Sequence, residues 1–251
     1  MNEEKLKKFF DKQVKQRNIK FSKDLIIKYE QTTKNNWIKK LLNIKENDII
    51  LNAGCGNTTE LLVFSSTIKN FKIIGVDLSF QMLFDAKTKI TKEKNLYLIN
   101  CNLQKLPFKK NTFNKIICSE VIEHIENNRI LLNEFRQVLK NEGEIIITTP
   151  NKISLYGIEK YVRKKILKLK TKHPYDEWST KNSLIELLNK NGFEINYISS
   201  CCFLPPPIFS YNLPHFIKKI LFKIMKNFEE ILNFFFKFNG YILICKAKRM
   251  K

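Results

Sequence analysis

Ile49-Ile50-Leu51-Asn52-Ala53-Gly54-Cys55-Gly56 runs an apolar strand straight into a Gly-x-Gly turn. The next apolar run, Ile73-Ile74-Gly75-Val76-Asp77, closes on an acid. Strand, glycine turn, helix and a second strand ending in a carboxylate make a nucleotide-binding βαβ unit. The glycines let the backbone approach a ligand closely, and an acid at the second strand end can accept hydrogen bonds from ribose hydroxyls.

Around this unit strands and helices alternate. Strand-like runs fall at 48–53, 71–77, 96–100, 115–119 and 143–149, with amphipathic helical stretches between them. Continuous apolar runs such as Ile145-Ile146-Ile147 imply burial on both faces, as in a parallel sheet covered by helices. Phe193 to Ser199 and Tyr241 to Ala247 read as two further strands. Residues 3–44 read as helical, with Ile26, Tyr29, Trp37 and Leu41 at helical spacing. The expected architecture is one doubly wound, Rossmann-like α/β domain with seven mostly parallel strands and helices on both faces. An N-terminal helical cap (1–44) precedes the core (45–203). A helical insertion (204–239), opened by Pro205-Pro206-Pro207, precedes the last strand and basic tail (240–251).

The chain has 251 residues, 43% of them apolar, which suits one α/β domain with elaborations. Lys and Arg number 45 against 24 Asp and Glu, a formal charge of +21. Such an excess favours an anionic partner, although Lys is abundant throughout and part of the charge is compositional. Six cysteines form no Cys-x-x-Cys pair and lie mostly in apolar runs, as buried thiols of a reducing compartment do. Met1 opens a polar segment without a signal-peptide core, and no apolar run approaches the roughly 20 residues that span a bilayer. The expected location is cytoplasmic, with peripheral membrane contact as an option. Basic residues crowd 159–172. Residues 216–238 carry Ile217, Ile220, Leu221, Ile224, Phe228, Ile231, Leu232 and Phe235 on one helical stripe. A stripe of this kind normally packs on the sheet. A substrate cover or an anionic membrane surface is the other reading.

Five motifs in order make the chain resemble the class I S-adenosylmethionine-dependent methyltransferases, in the group related to ubiquinone and menaquinone methyltransferases. They are Leu51-Asn52-Ala53-Gly54-Cys55-Gly56, Gly75-Val76-Asp77-Leu78-Ser79, Asn102 to Phe108 followed by Thr112-Phe113-Asn114, Ser119-Glu120-Val121-Ile122-Glu123-His124, and Glu134 to Gly143 leading into Thr149-Pro150-Asn151. The resemblance implies S-adenosyl-L-methionine as cofactor. It implies binding by Asn52, Gly54, Cys55, Gly56, Asp77, Leu78, Asn102, Leu103 and Ser119. Gly54 and Gly56 would lie against the amino acid end, Asp77 would take the ribose hydroxyls, and Asn102 and Leu103 would meet the adenine. Phe80 and Met82 are candidates to flank that ring or to serve the core. Asn52 and Asn102 stand where the family generally has carboxylates, and Thr58 replaces a common third glycine. Asn keeps hydrogen-bonding capacity without charge, so attraction for the cofactor's ammonium should weaken. A plain NAD site fits less well, because Thr59 occupies its third glycine position.

His124, just past the fourth strand, is the candidate general base for an oxygen acceptor, or else it caps the turn or pairs with Glu123. His173 is a second candidate. Methyl transfer to a small-molecule or lipid-linked acceptor, at oxygen or carbon, is the implied activity. Glu120, Glu123, His124 and His173 also resemble the pattern of small-RNA 3′-terminal 2′-O-methyltransferases, which would use a divalent ion and would suit the basic charge. A third reading is a non-catalytic, methyltransferase-fold binding module, favoured by Asn52, Thr58 and Asn102.

Overall fold

The computed structural model describes residues 3–57, 70–90, 95–166, 168, 175–203 and 214–250. Thr58, Thr59, His173 and Pro205 to Pro207 lie outside them. Two helices come first, α1 (Glu3–Lys23) and α2 (Leu25–Leu42). Asp24 starts α2 by accepting the Ile26 amide, and Asn43 ends it in the left-handed region at φ 41°. Then follow β1 (Ile49–Ala53), β2 (Lys72–Asp77), α3 (Phe80–Lys89), β3 (Leu96–Asn100) and β4 (Phe113–Ser119). After a short 3-10 turn, Ile122–His124, come α4 (Asn128–Val138), β5 (Leu139–Pro150), α5 (Leu155–Lys165), α6 (Lys181–Lys190), β6 (Phe193–Cys201), α7 (His215–Phe235) and β7 (Ile242–Arg249).

The seven strands form one sheet in the order β3-β2-β1-β4-β5-β7-β6. β1 to β5 pair in parallel, whereas β7 runs antiparallel to both β5 and β6. Apolar side chains on both faces explain why helices cover it twice. Leu51, Ala53, Ile116, Cys118, Ile145 and Ile147 face a core closed by α4 and α6 through Leu131, Phe135, Leu184 and Leu188. The intervening Ile50, Ile117 and Ile146 face a second core closed by Ile38 and Leu42 of α2. The period of two along each strand, apolar at both phases, produces this two-sided burial. Five cysteines are buried and Cys101 is half-buried, all as free thiols.

Two strands run longer than the sequence pattern indicates. β4 begins at Phe113 and β5 at Leu139, and these two residues pair ahead of the main register. Both side chains are fully buried, so the strands extend to keep them inside.

α7 departs most from expectation. Its apolar stripe does not pack on the sheet. Phe222, Glu229 and Asn233 are the buried side chains, while Ile220, Ile224, Phe228, Ile231 and Phe235 face outward. Polar anchors set this rotation. Glu229 accepts from the Tyr29 hydroxyl and, at 2.7 Å, from the Cys202 amide. Asn233 donates to the Ser199 hydroxyl at 2.9 Å and to the Ser200 carbonyl.

Candidate functional site

The strand order reverses direction between β1 and β4, which leaves a crevice at the strands' carboxyl ends, where open α/β sheets bind ligands. A cavity of about 890 Å³ opens there. That is near the upper end of the roughly 300–1,000 Å³ typical of ligand sites, room for a nucleoside and an acceptor together.

The bend after β1 is drawn down by paired hydrogen bonds: the Gly54 and Cys55 amides both donate to the Val76 carbonyl, at 2.8 and 2.9 Å. Gly54 sits at φ +71°, and a Cβ there would stand 2.4 Å from Val121 Cγ2. Only glycine fits between bend and β4 tip. Asp77 ties the β1 and β2 ends together, accepting from the Gly56 and Ser79 amides at 2.8 Å each. Gly54, Cys55, Gly56, Asp77, Leu78, Asn102, Leu103, Ser119 and His124 all line the cavity. Asn102 accepts the Gln104 amide and donates to Glu3 of α1 at 2.9 Å, and Ser119 shares a 3.0 Å bond with Thr148.

Asn52 does not line the cavity. It is fully enclosed within β1, and neither its amide oxygen nor its nitrogen has a partner among the described residues. It shares its strand phase with Ile50, which faces Ile38 and Leu42 of α2. Met82 is buried and reaches the cavity, whereas Phe80 is exposed.

The opposite wall comes from the N-terminal helices, a contribution that no sequence motif announced. Leu6 and Phe10 of α1 and Ile27, Glu30, Gln31 and Lys34 of α2 face the crevice. Lys34, 1% exposed, pairs with Glu120 at 2.7 Å. Glu120 is held at φ +53°, unusual for a residue with a Cβ, with its amide bonded to the Thr148 carbonyl at 2.9 Å. Burial raises the Glu30 carboxyl to about 8, with Glu120's charge adding and Lys34 opposing. Burial also raises Glu123 well above the usual carboxylate range, again with Glu120 adding. One faint signal was available: Glu30, Lys34 and Ile38 follow one another four apart, putting charge on the face that carries a core residue.

His124 Nδ1 lies 3.3 Å from the Tyr175 carbonyl. A carbonyl only accepts, so this bond calls for a proton on Nδ1. Phe10 packs edge-on against the ring at 5.6 Å. Glu120, Glu123 and His124 are not presented together. Glu120 is paired with Lys34, and Glu123 is buried with its carboxylate accepting from Thr149. Among the described residues no three His, Cys, Asp or Glu side chains converge as metal ligands would. His173, the fourth residue of the ribose-methyltransferase pattern, lies outside the described residues.

A parallel sheet with an antiparallel seventh strand, and a crevice floored by a glycine bend and a strand-end acid, define the class I methyltransferase fold. The sequence agrees: a methyltransferase domain family model matches residues 51–147. An uncharacterized protein of Methanocaldococcus jannaschii is 32% identical over 240 residues, covering 88% of this chain and 96% of that protein. A ubiquinone biosynthesis O-methyltransferase of Rickettsia bellii is 28% identical over 171 residues, covering 64% of this chain and 69% of that enzyme. The crystal structure of a Thermotoga maritima S-adenosylmethionine-dependent methyltransferase superposes with a TM-score of 0.69 over 97% of this chain and 99% of that one, at 17% identity. The chain belongs to the class I S-adenosylmethionine-dependent methyltransferases, and S-adenosylmethionine is its cofactor. The glycine cradle that a Cβ would fill, and the strand-end carboxylate of Asp77 that lines the cavity beside it, fit that group.

Proposed function

We propose that this methyltransferase acts on a hydroxyl of a small or lipid-linked acceptor seated between α1, α2 and the β4 tip. When bound, S-adenosylmethionine supplies an electrophilic methyl group. Gly54, Cys55 and Gly56 would hold its amino acid end, Asp77 its ribose, and Leu78, Asn102 and Leu103 its base, with Ser119 beside them. The observation that carries the reading is that His124 lines the cavity with its Nδ1 3.3 Å from the Tyr175 carbonyl, an arrangement that would turn Nε2 into the nitrogen that takes the proton of an attacking hydroxyl. Glu30, raised to about 8, is protonated at neutral pH and can donate to an oxygen on the acceptor. Leu6, Phe10, Ile27 and Ile130 give the same chamber apolar walls, which suit a lipid-linked or aromatic body. The similarity to an enzyme named for O-methylation in ubiquinone biosynthesis supports the same class of acceptor.

The test uses S-adenosylmethionine carrying a labelled methyl group and a panel of phenolic and isoprenoid alcohols. The label should appear as an ether. His124→Ala should lower kcat by about 10²–10⁴-fold while leaving nucleoside affinity unchanged. Label recovered on carbon or nitrogen, or full turnover by the variant, would overturn the oxygen-acceptor reading.

A further inference from the structure

α7 gives one apolar pair, Phe222 and Met225, to a core cluster and turns the larger part of its apolar surface outward. Viewed down its axis, Ile217, Ile220, Ile224, Phe228, Ile231 and Phe235 occupy one continuous outward arc, each between 37% and 71% exposed. The inward arc holds Phe222, stacked on Tyr29, together with a carboxylate and an amide, Glu229 and Asn233, both bonded to α2, β6 and the residue just after it. Turning the stripe inward would break all of these bonds, so the outward setting is fixed. An apolar arc of this extent on a monomer's surface marks an interaction site.

The charge at its border says which kind. Lys219, Lys223 and Lys226 are exposed along one edge of the arc, and the one acid among them, Glu230, is paired with Lys40 at 3.1 Å. Beside it, α5 enters the cluster of Phe222 and Met225 through Tyr156 and exposes Leu155, Ile158 and Tyr161 with Arg163 and Lys165. No described helix is long and apolar enough to cross a membrane. An exposed apolar face rimmed by lysines, on a chain of net charge +21, complements a bilayer whose surface is anionic and whose interior is apolar. We infer that α7 lies in the plane of an anionic membrane surface, its isoleucines and phenylalanines at acyl depth and its lysines among the phosphates. This stands apart from the acceptor reading and does not depend on it.

The test is flotation of the full chain with phosphatidylcholine vesicles containing or lacking phosphatidylglycerol, at about 0.15 M salt, where surface charge alone is screened beyond about 8 Å. Binding should require phosphatidylglycerol. Ile220→Asn, Ile224→Asn and Ile231→Asn combined leave the charge untouched and should weaken binding at least about tenfold, since buried apolar area drives insertion. Phe84→Asn, an exposed apolar residue on α3, should change nothing. Lys219→Gln, Lys223→Gln and Lys226→Gln combined should weaken binding about tenfold and reduce its salt dependence. Thermal midpoints and nucleoside affinity report folding and should hold for every variant. Three results overturn the inference: no flotation of the wild type, flotation insensitive to the isoleucine changes, or a wild-type dimer that the isoleucine changes split while vesicles bind neither form.

Discussion

α4 and α7 are both amphipathic helices with apolar residues three and four apart, and they do opposite things. α4 buries Leu131, Leu132, Phe135 and Val138 against the sheet. α7 turns the equivalent stripe away and seats itself on Glu229 and Asn233. Spacing establishes that a helix has an apolar side. The direction of that side is decided by what the opposite side can bond to. On α4 the opposite side meets water and, at Glu134, one loop amide, that of Leu106. On α7 it meets a tyrosine hydroxyl, a backbone amide and two serines that were already enclosed, and unbonded polar groups there would be costly.

The contrast can be broken most decisively on α4. Phe135→Ala should lower the unfolding free energy by about 3–5 kcal/mol in urea titrations. A loss below about 1 kcal/mol would mean that α4 is no better seated than α7. Glu229→Ala should cost about 1–3 kcal/mol, because the Tyr29 hydroxyl and Cys202 amide lose their acceptor. An unchanged midpoint would show that polar bonds do not set the α7 rotation.

Titration sharpens the comparison further. Burial raises the Glu229 carboxyl above its ordinary 4.5, and raises Glu30 to about 8. In that window the folded chain holds protons that the unfolded chain releases, so stability falls as pH rises from about 4.5 through the folded values. Urea midpoints between pH 5 and 8.5 should therefore decline, and Glu30→Gln with Glu229→Gln should reduce the decline, the buried Glu123 carrying part of what is left. A slope that survives both changes undiminished would point to other groups. The smallest effect belongs to the outward stripe: Phe235→Ala should stay within about 0.5 kcal/mol.

Strands and glycine bend were legible because their determinants are local. Ile49 to Gly56 carries strand, turn and cradle within eight residues, and β3 at Leu96–Asn100 matches its apolar run to the residue. Strand starts at Phe113 and Leu139 were not, because they depend on a pairing between distant segments. In the site, nine of the ten residues assigned to the cofactor or to catalysis line one cavity, since they sit at strand ends that parallel pairing brings together. Asn52, one position ahead of Ala53, is fully enclosed and does not line that cavity. Glu30 and Lys34 escaped notice because their roles arise only when α2 crosses the β4 tip, 86 residues away along the chain at the Lys34–Glu120 pair.

α1 is joined to the rest largely by polar side chains. Glu3 meets Asn102, Asp11 meets Ser79, and Asn18 reaches Asp85 and Asn57. Leu6 is its one buried apolar residue among those described. Bonds of this sort trade for water at a net cost of only about 0.5–1.5 kcal/mol each. The first helix thus walls the chamber through bonds that water can replace, and its removal would strip the core of Leu6 alone among the buried apolar residues described.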